Sequence, residues 1–265
     1  MIDLQLDNRV ILVTGGSSGV GLALVGDLLA AGARVATCAR DVERLEVSIG
    51  ELPNYDRERV LTLSADVREP DDVTTFVGAA VERFGRIDGL VNNAGQSLLK
   101  RFDETSWTEW QAEFELKFLP VLTAVAASRK HLADGGGGSI VNVNAVLARQ
   151  PEARLAATSA ARAGLLNLTR TLAEELGPEG TRVNSVLLGL IDTGQWRRRY
   201  EARDSDHDQS WEEWSANLAS SRGITLGRLG SADEVSFVIM MLLSPRSSYT
   251  TGSSIDVAGG VGRHV

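Results

Sequence analysis

Hydrophobic residues in this chain occur in short, continuous runs rich in β-branched side chains, and longer stretches of helical periodicity separate these runs. Seven runs predict strands, at Val10–Val13, Arg34–Cys38, Val60–Ser64, Gly89–Val91, Ser139–Val143, Arg182–Leu187 and Ser254–Val257. Six stretches predict helices, at residues 19–31, 41–50, 70–84, 107–133, 157–177 and 231–243. Strands that are apolar on both faces and alternate with helices form parallel sheets covered on both sides, so this order predicts a doubly wound α/β fold.

One long polar stretch, residues 192–223, interrupts this alternation. It contains Arg197-Arg198-Arg199-Tyr200 and, further on, the polar run Asp204–Asp208. A loop of this length inside a compact domain is usually either functional or disordered. Its tryptophans, Trp196, Trp211 and Trp214, are atypical of disorder. We therefore hypothesise that residues 192–223 form a part-helical lid over a substrate pocket.

Composition narrows the class of protein. The chain has 265 residues and no Pro- or Ser-rich linker, which favours a single domain over residues 1–265. A net charge of −8 argues against nucleic-acid binding, and no apolar run approaches the roughly 20 residues that span a bilayer. No secretory signal or metal-ligand spacing is visible, and the single cysteine, Cys38, is expected in the core. These features favour a cytoplasmic protein without a metal site.

A glycine-rich turn joins the first predicted strand to the first predicted helix. Its sequence is Thr14-Gly15-Gly16-Ser17-Ser18-Gly19-Val20-Gly21. Free backbone N–H groups and the positive end of a helix dipole bind the pyrophosphate of a dinucleotide at such a turn. The predicted binding residues are Gly15, Ser17, Ser18, Gly19, Val20 and Gly21.

This turn and a series of later blocks resemble, in the same order, the short-chain dehydrogenase/reductase family. The later blocks are Asp66-Val67, Asn92-Asn93-Ala94-Gly95, Ser139–Val143, Ala163–Arg170, Arg182–Val186, Ile191-Asp192-Thr193, Leu226–Gly230 and Thr251–Gly260. The resemblance covers nearly the whole chain. It implies a single Rossmann-like domain with a mostly parallel seven-stranded sheet, a nicotinamide dinucleotide cofactor and a small-molecule substrate.

The resemblance also implies positions for the cofactor and for an assembly. Asp66 and Val67 would flank the adenine, the block Asn92-Asn93-Ala94-Gly95 would pack beside the cofactor, and Gly189, Ile191 and Thr193 would cradle the nicotinamide. Leu188 stands where the family commonly has proline. The family further implies a homotetramer, or a homodimer, with the helices at 107–133 and 157–177 at a subunit interface.

The end of the second strand predicts which nucleotide is bound. An acidic residue there normally binds the adenosine ribose and excludes a 2′-phosphate. Here the position holds Ala39, and Arg40 follows it with a donor fork suited to phosphate. We therefore expect NADP(H) rather than NAD(H). The alternative is that Arg40 pairs with Asp41 or Glu43 on the surface.

The catalytic positions depart from the family pattern. The resemblance implies an Asn, a Ser, a Tyr that transfers the proton and a Lys that lowers the pKa of the Tyr and holds the ribose. These positions hold Lys117, Ala145, Thr158 and Arg162. Threonine does not titrate as a tuned phenol can, arginine stays protonated, and alanine has no hydroxyl. General acid catalysis typically contributes about 10²–10⁴ in rate, so carbonyl reduction should be slow unless other groups replace it.

Lys117 is the first candidate replacement. Beside Arg162 in a partly buried site, like-charge repulsion and desolvation would both lower the pKa of Lys117, which suits an acid, a base or an amine nucleophile. The alternative is that Lys117 faces solvent or caps a helix.

Other polar side chains could also take part. Asn144 could donate a hydrogen bond to a substrate carbonyl, or it could have only a structural role in a turn. Thr158 and Ser159 could orient a substrate or a water, or cap the start of their helix. Tyr200 and His207, in the hypothetical lid, could reach inward on closure.

Three functions are compatible with these residues. The first is an atypical NADP(H)-dependent oxidoreductase acting on a small carbonyl or alcohol, in which Arg162 holds the ribose and Lys117 or a lid residue supplies the proton. The second is a catalytically silent NADP(H)-binding sensor or inactive subunit. The third is a non-redox acid/base enzyme on the same fold. The intact cofactor blocks favour the first two.

Overall fold

A seven-stranded sheet forms the centre of the protein in a computed structural model, which describes residues 3–203 and 209–262. The strands are β1 Val10–Thr14, β2 Arg34–Ala39, β3 Val60–Ser64, β4 Gly89–Asn92, β5 Ser139–Ala145, β6 Arg182–Leu188 and β7 Ser254–Val257. Their order across the sheet is β3-β2-β1-β4-β5-β6-β7, and every neighbouring pair is parallel. The predicted doubly wound α/β fold is therefore confirmed.

Helices cover both faces of this sheet. They are α1 Gly19–Ala30, α2 Val42–Gly50, α3 Pro70–Phe84, α4 Trp107–Asp134, α5 Ala156–Leu176, α6 Gly194–Glu201, α7 Trp211–Ser221 and α8 Ala232–Leu243. The six helices predicted from periodicity match their observed bounds to within a residue or so at each end. No helix of the described residues is both long enough and apolar enough to cross a membrane.

Alternate residues of β1 point into two separate apolar layers. Ile11 and Val13 pack in the layer that contains α1 and α8, whereas Val10 and Leu12 pack in the layer that contains α3, α4 and α5. Successive side chains of a strand face opposite sides, so a strand covered on both sides must be apolar throughout. Cys38 is buried in the second layer, as predicted.

The order of the strands places the carboxyl ends of β1 and β4 side by side. Connections lead outward in opposite directions from this pair, which makes it the topological switch point where open α/β sheets bind ligands. The glycine-rich turn follows β1, and the block Asn92-Asn93-Ala94-Gly95 spans the end of β4. Both cofactor blocks therefore meet at one crevice.

The described part of the polar stretch 192–223 is part-helical, as predicted, and supplies α6 and α7. Four aromatic rings from these helices pack against one another in tilted or edge-to-face contacts, those of Trp196, Tyr200, Trp211 and Trp214. Trp196 and Trp211 also pack against a third apolar cluster that includes Leu187 of β6. Aromatic packing thus holds α6 and α7 onto the sheet domain, beside the carboxyl end of β6.

Candidate active site

The glycine-rich turn is tied to β2 and leaves the start of α1 open. The backbone N–H groups of Gly15 and Gly16 donate to the Cys38 carbonyl at 2.9 and 3.4 Å. Ser18 is the N-cap of α1, yet its side chain makes no capping hydrogen bond. The first N–H groups of a helix have no partner within the helix, so those of α1 are oriented for an anionic oxygen. The turn fits the pyrophosphate of a dinucleotide.

Close packing around the turn explains why it contains glycine. A Cβ on Gly16 would overlap the Thr37 hydroxyl, and a Cβ on Gly21 would overlap the Gly15 carbonyl oxygen. Gly15 itself has a left-handed φ of 77°. A Cβ on Gly19 would lie 3.3 Å from Thr193, the N-cap residue of α6. The predicted nicotinamide segment therefore lies against the phosphate turn.

The polar residues at the end of β4 brace this crevice. Asn93 donates from its side chain to the carbonyls of Thr14 and Gly15 at 2.9 and 3.1 Å. The backbone N–H groups of Asn93 and Ala94 donate to the Thr14 hydroxyl. Asn92 donates to the Asn142 side chain at 2.8 Å, joining β4 to β5. These bonds hold the block against the turn, and the following Gly95 is exposed.

At the adenosine end, Arg40 is exposed, and the described residues form no ion pair with it. The alternative pairing with Asp41 or Glu43 is therefore wrong, and the Asp41 carboxylate instead accepts from the Arg44 N–H and caps α2. Asp66 accepts two hydrogen bonds from the Arg68 guanidinium, which lowers the pKa of Asp66 to about 2. Arg40 is thus a cation without an ion-pair partner among the described residues, while Asp66 is already paired.

The nicotinamide segment is anchored to the last strand. Gly189 packs so closely that a Cβ would lie 2.7 Å from the Ala258 Cα, and its N–H donates to the Val257 carbonyl. Strand β6 runs through Leu188, the residue that replaces proline. Ile191 is buried and forms a bridge with Gly230.

Helices α4 and α5 bring the replaced catalytic positions together. Lys117 is only 5% exposed, and its ammonium donates to the Gln96 carbonyl at 2.7 Å. The alternative that Lys117 faces solvent or caps a helix is therefore wrong. Burial, and then the charge of Arg162, lower the pKa of Lys117 to about 8, while Glu113 acts in the opposite direction. This agrees with the two causes expected from the sequence.

Glu113, a residue that the sequence did not single out, completes this cluster. It is 5% exposed, and its Oε2 lies 2.5 Å from the Thr158 hydroxyl and 3.5 Å from the Lys117 Nζ. Glu113 precedes Lys117 by four residues on α4, so the two share one face of the helix. That spacing was the signal in the sequence that could have identified Glu113. It did not suffice to single out Glu113, because α4 also carries exposed glutamates such as Glu115.

Thr158 and Ser159 do not cap their helix, which corrects that alternative. Helix α5 begins at Ala156, with no side-chain cap at Leu155. Thr158 lies within hydrogen-bond distance of Glu113 and accepts from the Leu98 N–H at 3.0 Å. Ser159 accepts from the Glu152 N–H at 3.3 Å.

Arg162 lies half-buried between α5 and β5. Its Nη1 is 3.4 Å from the Asn144 Oδ1, and its Nε is buried without a partner among the described residues. Burial lowers the pKa of Arg162 to about 10, against the effect of Glu113. Asn144 donates to the Arg162 carbonyl and accepts from the Ala145 N–H, which corresponds to its structural alternative. Ala145 contributes only a methyl group.

Of the two proton donors considered in the polar stretch, Tyr200 is among the described residues and its hydroxyl is already bonded. The Tyr200 hydroxyl donates to the Gln209 carbonyl at 2.9 Å, within the segment itself. His207 lies outside the described residues. The described residues contain no group of three or more side chains suited to a metal ion.

Comparison with known proteins decides the family. The family model for short chain dehydrogenase matches residues 9–204. This chain belongs to the short-chain dehydrogenase family. The resemblance drawn from its sequence motifs is thereby confirmed, and the protein is one of a family of oxidoreductases.

Relatives of this short-chain dehydrogenase extend over almost its whole length. A short-chain dehydrogenase/reductase of Botryotinia fuckeliana is 32% identical over 96% of both chains. A short-chain oxidoreductase of Pseudomonas aeruginosa, described as containing an atypical catalytic center, is 47% identical, with a TM-score of 0.93 over 97% of this chain and 98% of that one. Its NADPH-bound structure gives a TM-score of 0.91. L-sorbose reductase of Gluconobacter frateurii, complexed with NADPH and L-sorbose, is 29% identical, with a TM-score of 0.95 over both full chains.

Within this dehydrogenase the altered positions form one contiguous polar cluster. Lys117, Thr158 and Arg162 are linked through the buried carboxylate of Glu113, by contact or by charge. Ala145 adds no polar group. The arrangement therefore contains two cations, one carboxylate and a hydroxyl, but no phenol.

Proposed function

We propose that this protein is an NADP(H)-dependent oxidoreductase of a small carbonyl or alcohol, in which Lys117 transfers the proton. The observation that carries this proposal is the buried Lys117 ammonium, which lies beside Arg162 with a pKa of about 8. A general acid works best when its pKa is near the operating pH. Lys117 meets this requirement from the family's asparagine position on α4, next to the α5 positions Thr158 and Arg162 from which the usual acid couple has been lost.

The cofactor proposal rests on residues of this chain and on its neighbours. The open N-terminus of α1 would hold the pyrophosphate, exposed Arg40 the 2′-phosphate, and Arg162 the nicotinamide ribose. The NADPH-bound structures of the Pseudomonas oxidoreductase and of L-sorbose reductase support this choice. When bound, the nicotinamide supplies or accepts the hydride.

The chain's own residues account for the proton. In the direction of reduction, the carbonyl carbon gains a hydride and the carbonyl oxygen gains a proton from the Lys117 ammonium, which becomes a neutral amine. The nearby Arg162 remains charged and stabilises the developing alkoxide. In the direction of oxidation, the neutral amine accepts the proton from the alcohol. Lys117 then exchanges a proton with solvent, taking one up after each reduction and releasing one after each oxidation, so that the enzyme returns to its starting state.

We also propose that residues 1–265 form one domain with residues 192–223 as a substrate lid. The single sheet and the packing of Trp196 and Trp211 beside β6 support this arrangement. We further propose a homotetrameric or homodimeric state, which rests on the family resemblance, and a cytoplasmic location, which rests on the sequence.

The test is stopped-flow oxidation of NADPH with a panel of carbonyl compounds. Lys117→Met should lower the turnover number by about 10²–10⁴, the range expected for loss of a general acid, with NADPH affinity retained. Lys130→Met is the matched control, because Lys130 is exposed on the same helix. Tight NADPH binding without turnover of any compound by the wild type would favour the silent NADP(H)-binding alternative. Wild-type turnover by Lys117→Met would refute the role of Lys117.

A further inference from the structure

We infer that Glu113, held by Thr158, is the positioning residue that orients the Lys117 ammonium and keeps it protonated for transfer. This inference rests on the proposed function of Lys117. It gives the threonine at the family's tyrosine position a new task, which is to hold a carboxylate rather than to transfer a proton.

The burial of Glu113 is the first step. A carboxylate that is 5% exposed must have hydrogen-bond or charge partners, because desolvation of an unpaired charge is very unfavourable. The partners of Glu113 are the Thr158 hydroxyl at 2.5 Å and the Lys117 ammonium at 3.5 Å. The carboxylate therefore bridges α5 and the proposed acid on α4.

The hydroxyl of Thr158 is fully engaged in this bridge. Its oxygen accepts from the Leu98 N–H at 3.0 Å, and its proton is directed to Glu113, which is nearer than the Leu98 carbonyl at 3.4 Å. A hydroxyl has a single proton to donate. Thr158 therefore fixes the carboxylate and has no proton left for a substrate.

The donors of Lys117 are distributed differently. An ammonium has three N–H groups. One donates to the Gln96 carbonyl at 2.7 Å, in the loop that follows the cofactor block of β4, and a second is directed to Glu113. The third has no acceptor among the described residues, and we assign it to a substrate oxygen. The Gln96 carbonyl and Glu113 thus act as two fixed points that set the direction of the third N–H.

The unequal distances also matter for proton release. Glu113 is held tightly by Thr158 and only loosely by Lys117, so the ammonium is not fixed in a short ion pair that would retain its proton. The charged groups that face Lys117 are Glu113 from α4 and Arg162 from α5, and the loop after β4 contributes only the Gln96 carbonyl. Among the described residues, Glu113 is therefore the negative charge that offsets the two cations Lys117 and Arg162, and its removal should deprotonate Lys117 at lower pH.

The chain makes this directly measurable, because it contains only three lysines, Lys100, Lys117 and Lys130. With lysine labelled with ¹³C at Cε, NMR titration should follow each ammonium separately, and Lys117→Met assigns the signal. We expect Glu113→Gln to lower the pKa of Lys117 by about 1 to 3 units, the usual effect of a neighbouring opposite charge. Glu115→Gln, a change at an exposed site on the same helix, should leave it unaltered.

Two variants of Thr158 test the role of the threonine, and this test remains valid even if Glu113→Gln does not fold. Thr158→Val removes the hydroxyl and should alter the pKa of Lys117 and lower the turnover number by about tenfold or more, whereas Thr158→Ser should restore both. NADPH affinity should be unchanged in all of these variants, and the alkaline limb of the pH–rate profile should move to lower pH in Glu113→Gln.

The outcomes separate the two proposals. An unchanged Lys117 titration and pH–rate profile in Glu113→Gln or in Thr158→Val, together with an inactive Lys117→Met, would overturn the role of Glu113 and leave that of Lys117 intact. Activity in Lys117→Met would instead overturn the proposed function. A loss of activity in Thr158→Ser equal to that in Thr158→Val would overturn the role assigned to the Thr158 hydroxyl, because serine retains that hydroxyl.

Discussion

Replacing Lys117 by methionine should remove a pH dependence from the stability of this protein. The ammonium is 5% exposed and lies beside the Arg162 guanidinium, and these two causes lower its pKa from 10.5 to about 8. In the unfolded chain the same group is solvated and titrates near its ordinary value. Folding and protonation of Lys117 are therefore coupled.

The sign and the size of this effect of pH on stability follow from the pKa values of Lys117 in the folded and unfolded chain. Between pH 8 and pH 10.5 the unfolded chain binds the proton more tightly than the folded one, so the stability of the wild type rises with pH in this window. The contribution of Lys117 is fully present above the unfolded pKa and is lost as the pH falls through the folded pKa. At about 1.36 kcal/mol for each pKa unit, the difference amounts to about 3 kcal/mol.

Urea unfolding at a series of pH values from 7 to 11 measures this effect. The free energy of unfolding of the wild type minus that of Lys117→Met should rise by about 3 kcal/mol across the series, because all other titrating groups are shared. The matching difference for Lys130→Met, at an exposed site on α4, should stay flat. If the difference in unfolding free energy between wild type and Lys117→Met were also independent of pH, the argument that burial lowers the pKa of this ammonium would be refuted.

Two further predictions concern the cofactor crevice. Arg40→Ala should weaken NADPH binding by about 10- to 100-fold in calorimetry, the usual contribution of a hydrogen bond to a charged group, and should leave NADH binding nearly unaltered. Arg44→Ala is the control, because Arg44 is exposed on α2. Equal losses of affinity for both nucleotides in Arg40→Ala would exclude a contact with the 2′-phosphate. Gly21→Ala should abolish NADPH binding at micromolar concentrations and destabilise the fold by about 1–3 kcal/mol, because its Cβ would overlap the Gly15 carbonyl. Gly50→Ala, where a Cβ meets nothing within 4 Å, should be neutral or slightly stabilising, and similar behaviour of the two alanine variants would contradict the packing argument.

The sequence was sufficient for the architecture and for the cofactor crevice. Strand runs such as Val10–Val13 are apolar on both faces, and the turn that follows holds glycine where α1 approaches the turn too closely for any side chain. These features are local, since periodicity and backbone sterics depend on neighbouring residues along the chain. For the same reason, Lys117, Thr158 and Arg162 could be placed by counting from matching blocks.

Contacts between distant residues decided the rest. Lys117 is linked to Gln96, 21 residues earlier, and Glu113 to Thr158, 45 residues later, and no periodicity encodes such pairs. The sequence offered solvent exposure for Lys117 and helix capping for Thr158 as open alternatives, and the packing of α4 against α5 excluded both. The amino-acid sequence by itself determined that the usual acid is missing and that a lysine occupies another of the family's catalytic positions. Only the tertiary structure decided that this lysine is buried, because burial, the pKa and the presence of a partner carboxylate arise from surfaces that meet when the helices pack.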